Sequence, residues 1–168
     1  MMSALDVILH PTDFSAYSDQ AFQLACSVAR DQLASLVVVH VLPLESGQES
    51  DSDEDRINEN GPVVSNCREQ FCRMNAQAGD IPISFRLVFG FAVGAILNVA
   101  HEENADLIVI ASHQQNRFTF QLHGSVAEGV LRQTHCPVMC LRQPIELSTT
   151  PFMSPTTAET TNESPCAP

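Results

Sequence analysis

Leu107-Ile108-Val109-Ile110-Ala111-Ser112-His113-Gln114 leads, through a polar and aromatic stretch, to Gly124-Ser125-Val126-Ala127-Glu128. The first segment is a continuous apolar run that exits into polar residues, the pattern of a strand buried on both faces. The second opens a helix: Ser125 with Glu128 three residues on forms a capping box behind Gly124. A strand that ends in a loop and re-enters at a helix start offers backbone N–H groups to an anion. One such unit gives a local β-α step; whether the chain repeats that step decides the fold.

It does, in both directions. Leu5 to His10 reads as a short buried strand ended by Pro11, and Thr12-Asp13-Phe14-Ser15 supplies turn and cap residues. A helix to about Gln32 follows from the spacing of Ala21, Leu24, Ala25 and Val28, and Leu36–Val41 is a β-branched central strand closed by Pro43. A second helix over Pro62–Gln77 places Val64, Cys67, Phe71 and Met74 on one face. Ile83–Val88 alternates enough for an edge strand, and Gly90 and Gly94 read as bracketing a turn. Val93, Ile96, Leu97 and Ala100 form a third apolar stripe, Ser125–Thr134 a fourth helix, and Val138–Leu141 a fifth strand after Pro137. The order β-α-β-α-β-α-β-α-β implies one open parallel five-stranded sheet with helices on both faces. With strand order 3-2-1-4-5, strands 1 and 4 adjoin at the topological switch point, where ligands bind in such sheets. The polar loops Pro11–Ser15 and Ala111–Gln114 follow those two strands.

Composition narrows the function classes. The 168 residues are 44% hydrophobic, enough for one packed domain. The net charge is −12 and all eight basic residues are arginine, so a nucleic-acid backbone is repelled at long range. No apolar run is long enough to span a bilayer, and the start of the chain lacks a basic segment before Val7-Ile8-Leu9, so a cytoplasmic protein is expected. Cys26, Cys67, Cys72, Cys136, Cys140 and Cys166 contain no Cys-x-x-Cys pair and read as reduced thiols. Residues 45–60 are acidic and polar, a mobile loop within a domain over 1–147; 148–168 reads as a disordered tail. The Asp51-x-Asp53-x-Asp55 spacing matches part of a calcium loop, but Arg56 replaces its glycine and Pro62 its final glutamate. His113 and His123 flank the polar loop without a third metal ligand, and Phe118 and Phe120 read as packing residues.

Val7-Ile8-Leu9-His10-Pro11-Thr12-Asp13-Phe14-Ser15, Val38–Val41, Gly124–Glu128, Val130-Leu131-Arg132 and His135-Cys136-Pro137-Val138 together resemble the universal stress protein family over residues 4–143. The resemblance implies an adenine nucleotide α-hydrolase-like fold and a non-catalytic stress-response module, not an enzyme, acting through dimerisation and an unidentified protein partner. It also implies an ATP-binding alternative, with magnesium, at Pro11, Thr12, Asp13, Val41, Ala111, Gln114, Gly124, Ser125 and Val126. Nucleotide-binding members carry Gly-x-x-Gly, nine residues, then Gly-Ser or Gly-Thr. Here Ala111 and Gln114 occupy the first two glycine positions and only Gly124-Ser125 is kept. A glutamine side chain falls where phosphates would approach bare backbone, so the chain looks closer to the branch that lacks the glycines. Asp13 and Ser125 each have a local role as well, as caps of the first and fourth helices. The family dimer pairs the last strand across a two-fold axis, which implies an interface along Val138, Met139, Cys140 and Leu141. Neither a nucleic-acid nor a membrane partner is expected.

Overall fold

The computed structural model describes residues 5–43, 61–112 and 126–142. The acidic stretch 45–60, the loop 113–125 and the tail from 143 lie outside the described residues. Nine elements alternate along the chain: β1 (Val7–Pro11), α1 (Ala16–Gln32), β2 (Ser35–Leu42), α2 (Pro62–Ala78), β3 (Ile83–Phe89), α3 (Ala92–Glu102), β4 (Leu107–Ser112), α4 (Val126–Gln133) and β5 (Val138–Arg142). The strands form one sheet in the order β3-β2-β1-β4-β5. All four neighbouring pairs are parallel. The expected architecture and strand order are both present.

Strand alternation divides the core. Ile8, Leu36, Val38, Leu107 and Val109 pack with Phe22 and Ala25 of α1 and Phe71 and Met74 of α2. Leu9, Val37, Val39, Ile108 and Ile110 pack on the other face with Ile96 and Val99 of α3 and Ala127 and Val130 of α4. Successive strand side chains point to opposite faces, so a strand covered twice must be apolar throughout. The stripe expected on α2 is the buried one: Val64, Cys67, Phe71 and Met74.

Three local readings change. β1 runs on through Pro11, one residue past the expected stop. The bond to β2 at that level comes from Thr12, whose N–H donates to the Val39 carbonyl at 2.9 Å, so proline is not asked for a donor. Gly94 lies inside α3 instead of in a turn, and the turn is made by Gly90 alone, at φ 144°. Asp13 does not cap α1: Ser15 does, its hydroxyl accepting from the Ser18 N–H at 3.2 Å.

α3 and α4 approach closely at Gly129. A Cβ there would sit 2.6 Å from Val93 Cγ2, so hydrogen at this position lets the two helices meet. At the far edge of the sheet, Arg86 on β3 pairs with Glu102 (2.8 Å) and with Glu103 at the end of α3. Among the described residues the five cysteines are free thiols.

A candidate nucleotide cleft at the switch point

The sheet opens where β1 and β4 part. They pair only through Ile8 with Leu107 and Leu9 with Ile108. The chain after β1 turns away at Thr12 to enter α1, and β4 continues to Ser112 beside β5. The gap is an open cleft of about 530 Å³, within the range usual for small-molecule sites. Pro11, Thr12, Asp13, Val41, Ala111 and Val126 all line it. Six of the nine expected positions therefore share one cavity. Gln114, Gly124 and Ser125 lie outside the described residues.

The loop Thr12–Ser15 is held by bonds of its own. Thr12 is buried, and its Oγ1 accepts from the Phe14 N–H (3.1 Å) and from the Ser18 hydroxyl (2.9 Å). Asp13 Oδ1 accepts from the Ser15 N–H at 3.0 Å, an Asx turn. His40 Nδ1 donates to the Thr12 carbonyl at 2.7 Å, because a carbonyl can only accept, which sets the tautomer. These bonds hold Phe14 at φ 60°, a conformation that costs about 1–2 kcal/mol for a residue with a side chain. The Phe14 ring lies 4.4 Å from the His40 ring, centroid to centroid, and meets Phe71 of α2 edge-on at 5.5 Å.

Sequence reading had not picked out Ser18, Val39, His40, Ala92, Ile96 and Ile110, which complete the lining. Ser18 carried a usable signal: with Ala21, Phe22 and Ala25 it falls on the buried face of α1. Ala92 and Ile96 reach the cleft through the placement of α3 over the sheet, which local spacing does not encode.

His10 was read only as a strand residue. It is fully buried on the α1 side, its ring 5.8 Å from that of Phe22. Nδ1 donates to the Val109 carbonyl at 2.8 Å, and Nε2 is buried without a hydrogen-bond partner among the described residues. Burial drives the imidazole pKa from 6.5 down to about 4, against smaller upward pulls from the Val109 carbonyl and the Asp13 charge. This ring is a neutral core member linking β1 to β4.

No described helix is long and apolar enough to cross a membrane. The universal stress protein family model matches residues 5–142. A universal stress protein of Methanocaldococcus jannaschii is 28% identical over 145 residues, covering 82% of each chain. The structure of the universal stress protein UspA from Lactobacillus plantarum superposes with a TM-score of 0.70 at 19% identity, covering 83% of this chain and 99% of that one. A universal stress protein solved in complex with cAMP is 28% identical, with a TM-score of 0.63 and coverage of 83% and 98%. Strand order, parallel sheet and these neighbours define an adenine nucleotide α-hydrolase-like fold. The chain belongs to the universal stress protein family.

Proposed function

We propose that this chain is a non-catalytic stress-response module that works by binding: a nucleotide in the switch-point cleft, and a second copy of itself and a protein partner through its outer surfaces. The early departure of β1 from the sheet carries the ligand half. The last bond from that segment to β2 joins Thr12 to the Val39 carbonyl. Val41, two residues on, presents its N–H and C=O to the same side, beyond the end of β1 and at the cleft wall. A neighbouring donor and acceptor suit the hydrogen-bonding edge of a purine base. The apolar floor of Val39, Ile96 and Ile110 suits its face. The cAMP complex of a relative at 28% identity supports the same ligand class.

The non-catalytic half rests on what the cleft's polar groups already do. Ser18 spends its proton on Thr12, Thr12 accepts two bonds, and His40 holds the Thr12 carbonyl. A hydroxyl donating to another hydroxyl is not an activated nucleophile. For self-association, β5 is an edge strand with Met139 and Cys140 exposed, and pairing of Val138–Leu141 across a two-fold axis would close that edge. The free thiols suit the reducing cytoplasm.

A thermal-shift panel of adenosine, AMP, cAMP and Mg-ATP tests the ligand reading. A ligand at a hundred times its Kd adds about 2.7 kcal/mol of apparent stability. A flat response to the whole panel up to millimolar concentration refutes it, and nucleotide hydrolysis above the buffer rate refutes the non-catalytic reading. Size measurement before and after Val138→Asp tests the interface. A dimer that becomes a monomer is expected; a monomeric parent, or a dimer indifferent to the change, discards it.

A further inference from the structure

We propose that the cleft selects a purine nucleoside or its monophosphate, the cyclic form included, and discriminates against triphosphates. This rests on the nucleotide reading above and narrows it to a ligand class. The charge of the cleft carries the proposal. Among the described residues lining it, the one carboxylate is Asp13 and none is arginine. The chain contains no lysine with which to neutralise phosphates. Arg73, Arg86 and Arg132 are committed to Glu69, to Glu102 and Glu103, and to Glu128. Arg30 sits in the last turn of α1, and Arg142 ends the outer strand β5; Arg56 and Arg117 lie outside the described residues.

A monophosphate ester carries about −1.5 to −2 at neutral pH, and each further phosphate adds to that. Every added charge meets Asp13 locally and the −12 of the whole chain at long range. An anion moved from water without a paired cation loses hydration that nothing returns. The binding surface that does not depend on ligand charge is the part suited to base and ribose: the Val41 peptide edge, the Thr12 and Ser18 oxygens and the apolar floor. At the phosphate end Ala111 adds a methyl group to the lining. Affinity therefore comes from the nucleoside, and each phosphate beyond the first subtracts from it.

Titration calorimetry of the full chain with adenosine, cAMP, AMP, ATP and Mg-ATP tests this. The expected result is binding of adenosine, cAMP or AMP at least about tenfold tighter than ATP or Mg-ATP. The gap should narrow between about 0.05 M and 0.5 M salt as the repulsion is screened. Asp13→Asn keeps the oxygen that accepts from the Ser15 N–H and removes the charge. It should shrink the adenosine-to-ATP affinity ratio by about threefold or more. Equal or tighter binding of ATP overturns the selectivity while leaving the nucleotide reading intact, as does a ratio unchanged by Asp13→Asn. Failure of every ligand to bind overturns the nucleotide reading itself, and this proposal with it.

Discussion

Protonating His10 should weaken the fold, and the size of the effect follows from its surroundings. Its ring is fully buried, Nδ1–H is used by the Val109 carbonyl, and a proton on Nε2 would find no acceptor among the described residues. The folded-state pKa is about 4 against 6.5 in the unfolded chain. Between those values the unfolded chain binds a proton that the folded chain refuses, so stability falls as pH drops through that window and is unaffected above it. Integrated from pH 7.5 to pH 4, the loss from this one residue is about 3 kcal/mol, a large share of a typical 5–15 kcal/mol. Carboxylates also titrate near pH 4, so the assay is a difference: urea unfolding of the parent and of His10→Leu across the range. Leucine is close to histidine in volume but leaves the Val109 carbonyl without its donor, which should cost about 1–2 kcal/mol at pH 7.5. At pH 4 the order should reverse, with His10→Leu the more stable protein. A difference between the two that stays constant from pH 7.5 to pH 4 refutes the reasoning.

Leu33 ends α1 in the left-handed region at φ 58° and is 93% exposed, so Leu33→Gly should raise stability by about 0.5–1 kcal/mol in a urea melt. Gly129→Val places a branched side chain against Val93 and should lower stability by about 1–3 kcal/mol, seen as a fall in the unfolding midpoint with little change in slope. Ser18→Ala removes the hydroxyl donor to buried Thr12 and should cost about 1–2 kcal/mol by the same measurement, with faster amide exchange at Phe14 as its local signature.

Much of the fold was legible because its cause is local and repeated. Val38-Val39 in β2 and Ile108-Val109 in β4 announce strands covered on both faces, and the stripe Val64, Cys67, Phe71, Met74 announces a helix with one buried side. The misreadings sit at element ends. Pro11 stays in its strand because Thr12 supplies the bond, and Ser15, not Asp13, caps α1 because the Asp13 carboxylate turns back to Ser15 N–H. Such ends are decided by which of several adjacent polar groups reaches a backbone donor, a choice that composition leaves open.

The site divides in the same way. Sequence alone determined the element order, the sheet topology that follows from it, and the absence of lysine, since these depend on residue identity and chain order. Tertiary structure decided that Thr12, Val41, Ala111 and Val126, from four separate segments, face one cleft, and that Ala92 and Ile96 join them. It also decided the state of His10, whose partner Val109 lies 99 residues away. Pattern along a chain records which face each residue turns toward the core, whereas cavities and buried charge states arise from elements that meet only after folding.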